Sequence, residues 1–159
     1  MTRENTILHV GDKAPGFVLP DVRTGRNAVL ADLLGRPLLV YFARGTWCPT
    51  CRRWMGIIAE NMPRIEQLGA SAVTIMAQRR ERMQSDLKDA SFPFPILCDE
   101  GRTVVKEWGV WVKANFESVN IARPANFVLG TDGTIRFIHI ASVQFEYAPL
   151  DEILTALAE

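Results

Sequence analysis

Residues 38–54 read LLVYFARGTWCPTCRRW, and the reading of this stretch decides the rest of the chain. An apolar run from Pro37 to Ala43 has the length and the β-branched and aromatic content of a buried strand, and Gly45 with Thr46 ends it. A helix should follow at once. Pro49 suits the first helical position, because its missing N–H would be unpaired there anyway and its fixed φ is already helical. That assignment puts Cys48 at the N-cap and Cys51 one turn in, close enough for the two sulfurs to meet. The unpaired amides and aligned dipoles of the helix tip favour a thiolate at Cys48, and Arg44, Arg52 and Arg53 add positive charge nearby. Such surroundings lower a cysteine pKa from about 8.5 to somewhere between roughly 3.5 and 7.5. Cys48 is therefore the expected nucleophile, with Cys51 as the sulfur that resolves the intermediate.

Working outward toward the N-terminus, short apolar pieces alternate with turn formers such as Gly11-Asp12, Pro20-Asp21 and Thr24-Gly25. They predict strands at Phe17 to Leu19 and Asn27 to Leu30, then a helical turn at Ala31 to Leu34. Beyond Cys51, Met55, Ile57, Ile58, Met62, Ile65 and Leu68 form one core-facing stripe, with Pro63 expected to kink the helix. Ala70 to Ala77 predicts a second buried strand, Arg80 to Lys88 a polar helix, and Ile96 to Cys98 a short strand. Asp99 is placed to cap a helix at Arg102 to Trp108. Residues 110–121 have no clear period and read as a loop. Asn126 to Leu129 and Thr134 to Ile140 are strands joined by the turn Gly130 to Gly133, and Pro149 to Leu157 is an amphipathic helix. This order predicts a single α/β domain over residues 1–159, with a mixed central sheet covered by helices on both faces.

Equal numbers of acidic and basic residues, 18 of each, and 48% hydrophobic content fit a soluble globular protein and give no sign of a nucleic-acid partner. Residues 1–10 lack the apolar core of a signal peptide, and no stretch approaches the ~20 apolar residues of a membrane helix. A cytoplasmic location is the resulting expectation. The 3 cysteines are too few for a disulfide framework, so the Cys-x-x-C reads as a redox pair or, alternatively, as part of a metal site. A structural zinc needs about four ligands, and only Cys98, His9 and His139 remain to supply them, so no metal and no other cofactor is expected. Cys98 reads as a small core residue, His9 and His139 as structural, and Trp108 and Trp111 as core or rim aromatics.

Four segments resemble the alkyl hydroperoxide reductase and thiol-specific antioxidant family, the peroxiredoxin-like branch of the thioredoxin superfamily. They are VGDKAPGFVLPD (10–21) followed by GRPLLVYFARGTWCPTC (35–51), FPFPILCDEGRTVVKEWGV (92–110) and ARPANFVLGTDGTIRFIHI (122–140). The resemblance implies a thioredoxin-like fold with a redoxin-type N-terminal extension, and a loop ending in a cis-proline, here Pro124, opposite the Cys-x-x-C. It also implies that Thr46, Trp47, Arg123 and Pro124 contact the substrate, with Arg123 as a candidate for the arginine beside the reactive cysteine. A peroxide or a disulfide is the implied substrate, a thioredoxin-like protein or a low-molecular-weight thiol the implied reductant, and a homodimer the implied assembly. The sequence departs from the family in one respect. The Pro-x-x-x-Thr-x-x-Cys motif is absent: against Cys51 its places hold Arg44 and Cys48, and against Cys48 they hold Tyr41 and Gly45. Thioredoxins keep a buried acid near the second cysteine, but the strand Pro37 to Ala43 has no carboxylate, so no base for Cys51 is visible. Both a peroxidase and a disulfide reductase fit this pattern, with a metal-binding module as the third possibility.

Overall fold

A computed structural model describes residues 5–114, 119–143 and 146–159. At its centre lies a five-stranded sheet in the order β5-β4-β3-β8-β9. Strand β3 (Leu38–Ala43) is buried at every position, as the apolar run predicts, because it has neighbours on both edges and packing on both faces. It pairs in parallel with β4 (Ser71–Met76), which pairs in parallel with β5 (Ile96–Cys98). On its other edge β3 runs antiparallel to β8 (Ala125–Leu129), which turns back into β9 (Ile135–Ile140). The turn is the expected one, with Gly133 at φ +85°, a conformation that costs glycine no Cβ clash.

Alternation along β3 sorts its side chains between two cores. Leu39, Tyr41 and Ala43 face α2 (Pro49–Glu60), α3 (Met62–Gln67), α4 (Arg80–Leu87) and α6 (Leu150–Ala158), packing with Met55, Ile58, Ile65, Met83 and Leu154. Leu38, Val40 and Phe42 face the opposite core, which is closed by α1 (Leu30–Leu33) and α5 (Thr103–Glu107). There Trp108 sits 5.4 Å from Phe42 and 5.0 Å from Phe127, the latter edge-to-face, a favoured aromatic geometry. Helices thus cover both faces of the mixed sheet.

The N-terminal extension crosses the second face from one edge of the sheet to the other. Gly11 and Ala14 donate to Ile135 and Gly133 at the start of β9, and Val22 donates to Ile96 in β5. Between these anchors β1 (Val18–Pro20) and β2 (Asn27–Val29) form a small antiparallel pair. Pro63 does more than kink the long helix. The chain breaks at Asn61, which ends α2 and opens α3, and the Asn61 amide donates to the Ile57 carbonyl at 2.8 Å. Asp99 caps α5 as expected, with its carboxylate accepting from the Val105 N–H at 2.8 Å.

Residues 110–121 are not simply a loop. β6 (Trp111–Ala114) pairs antiparallel with β7 (Val119–Ala122), a ribbon whose short, mixed composition carries no alternation strong enough to announce it. The Arg123–Pro124 bond is trans, contrary to the expectation of a cis-proline. Those two residues link β7 to β8, with the Arg123 N–H on the Val110 carbonyl and the Pro124 carbonyl accepting from Ala141. This pinning carries the chain across in an extended path, where the intrinsic trans preference of about 0.5–1 kcal/mol goes unopposed.

Replacing Asp99 with alanine should leave the amides at the start of α5 unsatisfied in a buried setting and lower the unfolding free energy by about 1–2 kcal/mol. Urea denaturation should show this as a lower midpoint with an unchanged slope.

Candidate active site

β3 delivers the chain to residues 44–48 at the C-terminal end of the central strand, and α2 starts there. Cys48 is the N-cap of α2, with extended backbone (φ −85°, ψ 111°), and Pro49 occupies the first turn. The Cys51 amide donates to the Cys48 sulfur at 3.2 Å, so the sulfur takes the place a serine or aspartate oxygen would occupy in an ordinary cap. Arg44 reaches the same sulfur, its Nη1 lying 3.8 Å away, while the Arg44 backbone N–H points at the Cys51 sulfur at 3.4 Å.

These contacts pull the two cysteines apart in acidity. The Cys48 pKa falls to about 6, chiefly because the Cys51 thiol donates to it, with the Cys51 amide and Arg44 adding to the effect and burial opposing it. Cys51 moves strongly upward, since ionising it would cost that hydrogen bond, bury its charge and place it beside the Cys48 thiolate. Tyr41 lines the same crevice as Cys51, and burial drives its pKa well above the usual phenol value. At neutral pH the pair therefore holds one proton, and it sits on Cys51. Both residues are only 1% exposed.

The other residues expected at the site separate into those close to the sulfurs and those farther off. Thr46 is buried and braces the loop: its N–H donates to the Gln78 side-chain oxygen at 3.0 Å, and its hydroxyl donates to Asp86. Trp47 is 45% exposed, with the Arg44 guanidinium 4.9 Å from its ring centroid. Its indole folds over Gly45 so closely that a Cβ there would lie 2.5 Å from Nε1, which explains the glycine. Pro124 lines a narrow crevice together with Cys51, Tyr41, Trp54 and Asn126. The Arg123 side chain is exposed, and the guanidinium within reach of Cys48 is that of Arg44. Sequence reasoning had counted Arg44 only as general positive charge, and it missed Tyr41, Gln78 and Asp86. Cys98 is buried, its thiol donates to the Gln78 carbonyl at 3.2 Å, and burial raises its pKa to about 11, which makes it a poor nucleophile. Among the described residues, no three His, Cys, Asp or Glu side chains gather to hold a metal, and no helix is long and apolar enough to cross a membrane.

A sheet of this topology, with two cysteines at the tip of α2, defines a thioredoxin-like fold. The AhpC/TSA family model matches residues 10–138. A provisionally named peroxiredoxin of Mycobacterium tuberculosis is 31% identical over 134 residues, covering 83% of this chain and 85% of its own. Peroxiredoxin Bcp of Escherichia coli K12 is 28% identical over 133 residues, covering 82% and 85%. The crystal structure of peroxidoxin BcpB from Mycobacterium tuberculosis superposes with a TM-score of 0.80 over 93% of this chain and 95% of that one, at 23% identity, a likeness of fold. The chain belongs to the AhpC/TSA family and is a peroxiredoxin-like enzyme.

Because only the thiolate attacks, alkylation of Cys48 should rise as pH passes through about 6 and level off above it. In Arg44→Ala the half-maximal pH should move up by about 1. Rates of iodoacetamide labelling across pH, with peptide mapping, check both statements.

Proposed function

We propose that the enzyme reduces hydroperoxides through a Cys48–Cys51 dithiol–disulfide cycle within one domain. The observation that carries the choice of substrate is the burial of Cys48, which is 1% exposed. A hydroperoxide needs only a small opening to reach that sulfur. The Cys48 thiolate attacks the terminal oxygen of the hydroperoxide, the O–O bond breaks, the hydroxyl stays on sulfur, and the alkoxide takes a proton from solvent and leaves as the alcohol. Cys48 becomes a sulfenic acid. Cys51 then gives up its proton and attacks the Cys48 sulfur, forming the S–S bond and releasing the hydroxyl as water. Two equivalents of thiol, from a thioredoxin-like protein or a small thiol, reopen the disulfide and leave as their own disulfide.

Arg44 serves two steps in this reading. It holds the Cys48 thiolate before attack, and its charge stabilises the oxygen that departs. The family's proline and threonine are absent, so Arg44 and the Cys51 amide carry the electrostatic part of the site. Thr46, held by Gln78 and Asp86, keeps the 44–48 loop in register, and Trp47 offers an exposed flat surface beside the site on which the reductant can dock. A cytoplasmic setting, where reduced thiols are plentiful, suits this cycle, and a homodimer is the assembly carried by the family resemblance.

The disulfide-reductase alternative is separated by one comparison. Stopped-flow consumption of hydrogen peroxide should exceed that of a free thiol by at least about a hundredfold, the scale that charge stabilisation by a single fixed donor supplies, while reduction of insulin disulfides should be slow. Cys48→Ser should abolish peroxide turnover. Cys51→Ser should still consume a single equivalent and accumulate a sulfenic acid that dimedone traps. Fast insulin reduction with peroxide consumption no better than that of a free thiol would reverse the assignment.

A further inference from the structure

The strand carrying Tyr41 offers no carboxylate to take the proton from Cys51, yet closure of the disulfide requires that proton to leave. Strand register supplies another route. Tyr41 in β3 is paired with Asn126 in β8, and Asn126 is paired with His139 in β9. Cross-strand partners project from the same face of a sheet about 5 Å apart, so these three side chains form one polar row beneath α2. The row borders a crevice that is also lined by Cys51, Trp54 and Glu146. Its free volume is about 10 Å³, close to the minimum that admits a water molecule. Polar groups at Tyr41, Asn126 and His139 give such a water the partners it needs.

Each end of the row is held. At the inner end Tyr41 and Cys51 line the crevice together. Asn126, only 4% exposed, is fixed by the Trp54 indole N–H, which donates to its Oδ1 at 3.0 Å. At the outer end His139 Nε2 lies 3.3 Å from the Glu146 carboxylate, with side chains 24% and 37% exposed, so this end is in touch with solvent. With Nε2 turned to the Glu146 carboxylate, Nδ1 is the ring nitrogen left to accept a proton. Tyr147, stacked on Trp54 at 5.9 Å, is the remaining titratable group around the crevice.

We infer that His139, held by Glu146, is the proton acceptor for Cys51 during disulfide closure, reached through the water-sized crevice and the Tyr41 hydroxyl. The inference rests on the dithiol cycle proposed above and gives its second step a base. When Cys51 attacks the Cys48 sulfur, the Cys51 proton passes by way of the crevice to His139, and the hydroxide expelled from Cys48 is protonated from solvent and leaves as water. On reduction the sequence reverses, and Cys51 departs as a thiolate that recovers its proton from the same imidazole. His139 therefore has a role beyond the structural one its sequence context suggests.

Single-turnover stopped-flow fluorescence on the reduced protein separates the two steps, with Trp54 as a reporter one turn beyond Cys51. In His139→Gln and His139→Ala the first phase, attack by Cys48, should keep its rate within about twofold. The second phase should slow by at least about a hundredfold, the low end of what a lost general base costs. Dimedone should then trap more sulfenic acid than in the wild type. Added imidazole should restore closure in His139→Ala, and Glu146→Gln should slow closure by a smaller factor. Closure at the wild-type rate in both His139 variants would overturn the inference. So would equal slowing of both phases without rescue by imidazole, the signature of a residue that only holds the fold. Starting closure with a small symmetrical disulfide, which places a mixed disulfide on Cys48, keeps the two proposals apart. If peroxide fails to oxidise the wild type, the peroxidase reading falls, while this second arm still decides the role of His139.

Discussion

A single backbone amide, that of Cys51, donates to the sulfur of Cys48 at 3.2 Å, and the remainder of the molecule is arranged to make that contact possible. It exists because a helix begins at Pro49, leaving amides of its first turn without partners inside the helix. The helix begins there because β3 ends at Ala43 and a five-residue link turns the chain onto the sheet face. The buried Arg44 guanidinium reinforces the contact from outside the helix by reaching the Cys48 sulfur. The outcome is an asymmetric pair in which one sulfur is anionic and the other holds the proton. Redox exchange needs that asymmetry, because one sulfur must attack first while the other waits.

The sheet fixes these groups by burial on both faces. Leu38, Val40 and Phe42 lock β3 against the aromatic cluster of Trp108 and Phe127, so Tyr41 and Ala43 can only face α2. A slip of one residue would exchange the two sets and take Tyr41 away from Cys51. The N-terminal extension secures the same sheet from outside, spanning it from β9 to β5. Bracing of the active loop by Gln78, which follows β4, and by Asp86 of α4 ties the site to elements on the β4 side, while Asn126 and Pro124 tie it to β8.

Much of this architecture is legible in the sequence, because the signals are local. The apolar run of β3, Pro49 at a helix start, Asp99 before α5 and Asp132-Gly133 in the hairpin each state their structure within a few residues. Ambiguity enters wherever the deciding contact is distant. The β6–β7 ribbon depends on pairing between two weak segments, and the trans bond at Pro124 on hydrogen bonds to Val110 and Ala141. In the candidate site, the closeness of Cys48 and Cys51 is legible in their spacing. Arg44 could be read as nearby charge, but its selection over Arg123 as the guanidinium on Cys48 requires the fold. Tyr41, Asn126 and His139 come together only through the register of three strands, information that no stretch of the chain contains alone.

The proposed cycle requires Cys48 and Cys51 to act as a closed pair with Cys98 as a bystander. Treating the reduced protein with a single equivalent of hydrogen peroxide and mapping its disulfides by mass spectrometry of peptides tests this most directly. The expected product is a Cys48–Cys51 disulfide formed within one chain, with Cys98 recovered as a free thiol. A disulfide that includes Cys98, or a peroxide-treated protein in which Cys48 and Cys51 both remain free thiols, would contradict it.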